Sequence, residues 1–285
     1  MGLKGFRCPR TNSNISFGEC FSSCTDRCLP LPVLVAMADG QREVVPNHYS
    51  VTEILKPPQV VWLGRNTDYY TKPESLIWAT FGTAWHTVME KRLALIEDDF
   101  GGTCFSSEED NEFSAYFPES GGTLHGKPDL YDNNLNILYD YKTAKVYTVK
   151  KMKAGQWDDS DYMHQLNMYR AFRFPECEKM ELVCAVKDHS PTAQERDGVH
   201  AVEMIEVPMM DTGKVMAMAE SLVAEHISNQ LDPRSLRSCR AGELWVNKKG
   251  IPLRCRDYCS PSENCPQYEK TLRIRNLAGW FDGGN

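Results

Sequence analysis

The chain has 285 residues, enough for about two domains or one large domain with appendages, and a core of that size needs no disulfides. Its make-up of 41% hydrophobic, 25% charged and 10% aromatic residues excludes wholesale disorder and a fibrous architecture. With 32 basic and 39 acidic residues the net charge is −7, which counts against nucleic-acid binding as a whole but leaves room for a local basic groove.

In chain order, a cysteine-rich leader of about residues 1–45 comes first, carrying Cys8, Cys20, Cys24 and Cys28. Leu31–Ala38 is the longest apolar run; it contains Pro32 and is far too short to cross a membrane. No basic segment followed by an apolar stretch marks a secretory signal. Eleven cysteines, an odd number, in a chain without that signal point to a reducing, cytosolic setting.

The central region, about 46–231, opens on Ser50-Val51-Thr52-Glu53, a capping-box pattern, and Pro57-Pro58 stops the short helix it starts. A longer helix is predicted over about 73–97, with an apolar stripe at Leu76, Ile77, Phe81, Ala84, Trp85, Val88 and Ile96. The acidic, glycine-containing stretch 98–112 reads as a loop. Strands are expected at 112–117, 124–131 and 135–142, a helix at 160–172, strands at 181–187 and 200–207 around an Asp197-Gly198 turn, and a helix at 211–228. That order implies an α/β protein with a central mixed sheet flanked by helices. A second cysteine-rich module, about 232–285, carries Cys239, Cys255, Cys259 and Cys265. Cys104, Cys177 and Cys184 are scattered and read as small buried hydrophobes.

The stretch richest in chemistry is Gly126-Lys127-Pro128-Asp129-Leu130 followed by Ile137-Leu138-Tyr139-Asp140-Tyr141-Lys142. Alternation along a strand puts Leu138, Asp140 and Lys142 on one face. Pro128 cannot donate to a sheet ladder, so the preceding strand bends there and can bring Asp129 beside Asp140. Two converging carboxylates suit a hard cation such as Mg²⁺ or Mn²⁺, which stabilises phosphoryl charge and activates water; a neighbouring lysine orients that water or neutralises phosphate. The plain alternative is a surface Asp140–Lys142 ion pair. His86 and Glu90, four apart on the long helix, offer a further metal ligand or a satisfied core histidine. Gln165 and Tyr169, also four apart, can hold the lysine or a phosphate. Lys142, Lys145, Lys150, Lys151 and Lys153 put five positive charges near the site.

The order of these motifs, Gly82-Thr83-Ala84-Trp85-His86, Gly126-Lys127-Pro128-Asp129, Asp140-Tyr141-Lys142 and Gln165-Leu166-Asn167-Met168-Tyr169, resembles the PD-(D/E)XK nuclease superfamily. The likeness is to its RecB-like branch and the CRISPR-associated exonucleases within it, and covers under a third of the chain. The resemblance implies a restriction-endonuclease-like core and a metal-dependent deoxyribonuclease, an exonuclease on single-stranded or end-bearing DNA. It implies that His86, Asp129, Asp140 and the Tyr141 carbonyl hold Mg²⁺ or Mn²⁺, that Lys142 is the catalytic lysine, and that Gln165 and Tyr169 support it. DNA is the implied partner, with proteins of recombination, repair or CRISPR adaptation beside it.

Members of that branch with iron–sulfur clusters keep three closely spaced cysteines after the nuclease core, commonly C-x2-C-x5-C, with a fourth ligand on its N-terminal side. Here Cys255-x3-Cys259-x5-Cys265 has one extra residue. Cys239 is the nearer fourth ligand, with Cys20, Cys24 and Cys28 as alternatives. Four thiolates hold a 4Fe–4S cluster or Zn²⁺. The irregular group Cys8-x11-Cys20-x3-Cys24-x3-Cys28 has the ligand count of a second zinc or iron–sulfur site. Arg234, Arg237, Arg240, Lys248, Lys249, Arg254 and Arg256, with Trp245 and Tyr258, suggest one wall of a DNA groove. Two rival readings are a non-catalytic DNA- or protein-binding module and an electron-transfer protein; no flavin or nicotinamide fingerprint supports the second.

Overall fold

The computed structural model of the protein describes residues 2–39, 44–100, 104–157, 161–232, 234 and 236–277. The chain divides into two compact units: residues 1–44, 56–77 and 228–285 form one, and 45–55 with 78–227 the other. Both cysteine-rich segments thus fall in the first unit, although some 200 residues of sequence separate them.

The first unit is built on a three-stranded sheet with Gly2–Arg7 in the middle, antiparallel to Asn14–Ser16 and parallel to Asp68–Thr71. At Gly5 the neighbouring strand comes so near that an added Cβ would lie 1.9 Å from the Ile15 carbonyl oxygen, so no other residue fits. Helix Phe17–Ser22 starts at Ser16 with a complete capping box. It packs Cys20 with Phe6, Leu34 and Met37 in a small core, and the Phe6 and Phe17 rings meet edge to face at 4.9 Å. Pro57-Pro58, expected as a stop, is also a start: proline's fixed φ suits the first turn, and helix Pro58–Asn66 follows. The C-terminal elements are helices Ala241–Leu244 and Pro266–Leu277 with a wide π-helical turn, Arg254–Tyr258, and a tight 3₁₀ turn, Ser260–Asn264, between them. The Asn264 amide ties them to the sheet by donating to Thr67 Oγ1 and the Asp68 carbonyl.

The second unit carries a five-stranded mixed sheet in the order Val202–Glu206, Lys179–Val186, Ile137–Ala144, Leu130–Asp132, Phe105–Ser107. Only the Ile137–Ala144 and Lys179–Val186 pair is parallel. A separate sheet of three joins His48–Ser50, Gly122–Gly126 and Phe113–Phe117. Leu138, Leu182, Leu166, Met168, Val215, Ala219 and Val223 are fully buried, so helices Asp161–Arg173 and Thr212–Leu231 contribute apolar faces to the interior, as the periodicity predicts. Among the described residues no helix is long and apolar enough to cross a membrane.

Several expected boundaries change. The loop over 98–112 is instead the end of a helix running Ile77–Phe100 and a strand, Phe105–Ser107, paired with Leu130–Asp132. The strand over 124–131 is two strands, split at Lys127-Pro128-Asp129, where proline removes a ladder donor. The turn at Asp197-Gly198 is the end of a short helix, Pro191–Asp197, closed by Gly198 in the left-handed region at φ 63°. Ser160, the expected start of its helix, lies outside the described residues; helix Asp161–Arg173 begins one residue later. The apolar stripe of the long helix is largely exposed: Phe81 is 56% and Val88 49% accessible, while Leu93 is buried.

Candidate active site

Every residue of the proposed nuclease site belongs to the second unit. Strand Ile137–Ala144 alternates as its sequence requires: Leu138, Asp140 and Lys142 share one face, with Asp140 only 1% exposed. The Lys142 ammonium pairs with Asp140 Oδ2, both side chains being largely inaccessible. The plain alternative, an ion pair on the surface, is therefore excluded. Oδ2 has no well-aligned hydrogen bond, and Oδ1 has only a long one, 3.4 Å, from the Gln165 amide. That amide also donates to the Tyr169 hydroxyl at 2.9 Å, so Gln165 and Tyr169 act as one support beneath the carboxylate.

The break at Pro128 places Asp129 against the same strand. Asp129 Oδ2 accepts from the Tyr141 backbone N–H at 2.6 Å, and Oδ1 lies 3.2 Å from His86 Nδ1. His86 Nε2 in turn is 2.9 Å from the Tyr141 carbonyl oxygen. A carboxylate and a carbonyl only accept hydrogen bonds, so engaging both ring nitrogens requires the doubly protonated imidazolium. The electrostatics agree. Burial lowers the His86 pKa, but the hydrogen bond to Asp129 and its charge outweigh that, and the net shift is upward. His86, Asp129, Tyr141 and the Asp140–Lys142 pair thus form one hydrogen-bonded and charged cluster.

Burial raises the Asp140 pKa to about 6; the Lys142 charge opposes this and Asp129 adds to it. For Lys142, burial is outweighed by the two aspartates, and the ammonium is held above its ordinary range. Beside His86 and Asp129 opens a cavity of 230 Å³ whose lining includes Tyr141, Glu90, Glu108 and Leu93. Asp140 and Lys142 do not line it. Burial, then Asp129 and Glu90, raises the Glu108 pKa. Neither Glu90 nor Glu108 is marked as a ligand by the motif order, because only the fold brings Glu108 to His86.

The donor types are those a hard cation takes: the His86 imidazole, the Asp129 carboxylate and the Tyr141 carbonyl lie together, and the Asp140 carboxylate is on the neighbouring residue. As they stand the groups satisfy one another. Among the described residues no three His, Cys, Asp or Glu side chains are set around a common point to hold a metal ion. Binding a cation requires His86 to release a proton and a nitrogen.

In the first unit all four cysteines of each group are free thiols. Burial raises the Cys259 pKa to about 12, and Cys255, Cys265 and Cys239 add to it. Cys239 reaches about 12 through burial, then Glu243, Cys255 and Cys265. Cys239 therefore stands beside the C-terminal three. Cys20 is raised by burial and then by Cys24, Cys28 and Cys8, its own group. Among the described residues neither group sets three thiols around a common point to hold a metal ion. Of the scattered cysteines, Cys177 and Cys184 are buried and Cys104 is not fully so.

The basic segments are less free than their sequence suggests. Lys150 pairs with Asp197 and Lys153 with Glu203. Arg234, Arg237 and Arg256 pair with Asp232, Glu243 and Asp257. In the C-terminal module the Arg254 guanidinium sits 4.1 Å over the Trp245 ring, and Trp245 meets Tyr258 edge to face; both rings are well exposed.

No family model matches the chain, and no curated protein matches it. Among solved structures it is similar to a crystal structure of SSO0001, at 16% identity and a TM-score of 0.49, over 82% of this chain and 94% of that one.

Proposed function

We propose that the second unit is a restriction-endonuclease-like core and that the protein is a Mg²⁺- or Mn²⁺-dependent deoxyribonuclease. The substrate would be single-stranded or end-bearing DNA, cut by phosphodiester hydrolysis. One observation carries this reading: Asp129, in the break between two strands, accepts from the Tyr141 N–H beside His86, while Asp140, the residue before Tyr141, is buried and paired with the Lys142 ammonium. His86, Asp129, Asp140 and the Tyr141 carbonyl would hold the cation, which when bound polarises a phosphoryl oxygen and acidifies water. Lys142, kept charged by two aspartates, would orient the attacking water and offset the growing negative charge of the phosphorane-like transition state. Gln165 and Tyr169 would fix the Asp140 carboxylate so that the lysine keeps its aim. In the first unit, Cys239, Cys255, Cys259 and Cys265 would hold a 4Fe–4S cluster or zinc, and Cys8, Cys20, Cys24 and Cys28 a second metal. These would be structural and outside the hydrolytic chemistry.

The test is Mn²⁺-dependent cleavage of end-labelled linear DNA by the full chain and by its Lys142→Met variant. Cleavage that survives that substitution, in a variant with unchanged circular dichroism, would remove Lys142 from the mechanism. That among the described residues no three donors converge favours a second reading, a DNA- or protein-binding module that does not cut. It predicts binding without cleavage in every divalent cation tried.

A further inference from the structure

The exposed stripe on the long helix has a chemical neighbour that the apolar pattern alone does not reveal. Trp78 is 47% and Phe81 56% accessible, with ring centroids 5.7 Å apart and planes tilted by 41°. The Lys187 ammonium lies 4.9 Å from the centre of the Trp78 ring. Lys187 directly follows strand Lys179–Val186, and its N–H donates to the Ala144 carbonyl. The carboxyl ends of the two parallel strands are thereby tied together, and Lys145 is the next residue of the partner strand. The two exposed rings thus have Lys187 beside them, and the parallel pairing sets Lys145 next to Lys187. Trp78 is eight residues before His86, about 12 Å along the helix, and Lys145 is three residues past Lys142.

Exposing two large aromatic rings on one helix face is unfavourable unless something covers them. What could cover these must also meet cations. Among the described residues neither Lys145 nor Lys187 forms a salt bridge, whereas Lys142, Lys150 and Lys153 all do. Partial burial lowers the Lys187 pKa, and the like charge of Lys145 lowers it further, against a smaller opposing effect of Asp188. The Asp188 carboxylate accepts from the Val146 N–H at 2.7 Å. An anion between the lysines would relieve their repulsion. Flat apolar rings beside paired cations match a strand whose bases are unpaired and whose phosphates repeat.

We propose that Trp78 and Phe81, with Lys145 and Lys187, form a platform for single-stranded DNA, the rings stacking bases and the lysines holding phosphates, so that an unpaired strand is led to the neighbouring site. This rests on the proposed nuclease reading and gives it a substrate preference: an unpaired strand over a closed duplex.

Binding of a fluorescent oligothymidylate to the full chain is measured by anisotropy in EDTA, where no cleavage can occur. Trp78→Ala and Phe81→Ala should each weaken it by about 5- to 150-fold, the range found for loss of one stacked base. Lys145→Gln and Lys187→Gln should each lower the slope of log affinity against log salt by about 0.7. A blunt hairpin duplex should bind more weakly and respond little to the ring substitutions. Unchanged oligothymidylate affinity in Trp78→Ala and Phe81→Ala would overturn the platform, even if Mn²⁺-dependent cleavage is intact. A change of oligomeric state in place of lost DNA affinity would also overturn it, by assigning the face to a second copy of the chain. Ring-dependent binding in a protein that never cleaves would uphold the platform and sink the nuclease reading. Should Trp78→Ala fail to fold, Phe81→Ala and the two lysine variants carry the same decision.

Discussion

Breaking the Asp140–Lys142 pair from its two ends should have unequal costs. In Lys142→Met the carboxylate loses its counter-charge, but it can take up a proton. Its pKa already stands at about 6, against an ordinary 3.8, because the group is buried. With the ammonium gone that carboxyl can stay neutral at pH 7, so no buried charge is left unpaired. In Asp140→Asn the ammonium is stranded instead. Shedding its proton from an ordinary value of 10.5 costs about 5 kcal/mol at pH 7, so the expected loss is that of a severed buried pair, about 3–5 kcal/mol. The signs with pH follow. A carboxyl whose folded pKa is raised contributes stability that is full below its unfolded value and lost as pH rises through about 6. The deficit of Lys142→Met should therefore vanish near pH 5, while that of Asp140→Asn should persist there. Urea unfolding of the full chain, followed by circular dichroism, reads this as a midpoint shift of about 2 M for Asp140→Asn and a smaller one for Lys142→Met at pH 7. Equal shifts, or a Lys142→Met deficit undiminished at pH 5, would refute the reasoning. Of the two substitutions, Lys142→Met therefore disturbs the fold less, which makes it the variant for the cleavage test.

Mn²⁺ binding should release a proton, because His86 spends both ring nitrogens as donors to Asp129 and Tyr141. Titration calorimetry in two buffers of different ionisation heat would show it, and identical apparent heats would count against His86 as a ligand. Gly126→Ala should cost about 1–3 kcal/mol and impair cleavage, since its Cβ would come within 2.8 Å of the Phe113 and Tyr169 rings. Gly82→Ala, on the long helix with nothing near its Cβ, should stabilise by up to about 1 kcal/mol. Equal effects in thermal melts would mean that Tyr169 is not held by that contact. Anaerobically purified protein should carry about four irons per chain with broad absorption near ~400 nm. Loss of that band in Cys259→Ser but not in Cys104→Ser would tie it to the C-terminal thiols.

What could be read from the sequence was what local rules control. Strand alternation placed Asp140 and Lys142 on one face, the Ser50 capping box formed as written, and Pro128 broke the strand where the argument needed a bend. What escaped was decided by residues far away in the chain. The parallel pairing of Gly2–Arg7 with Asp68–Thr71, and the gathering of both cysteine groups in one unit, have no local signature. The apolar stripe correctly announced a helix, yet periodicity says which residues share a face and not whether that face is covered. Of the five lysines counted from Lys142 to Lys153, three are taken by Asp140, Asp197 and Glu203, the last two lying 44 or more residues beyond the run. A charge count therefore overstates what is available to DNA. The cations that matter for a ligand are those the fold leaves without an acid, and among the described residues at the carboxyl ends of the parallel strands neither Lys145 nor Lys187 forms a salt bridge. Lys187 sits outside every basic run in the sequence, and only strand pairing carries it to Lys145 and Trp78.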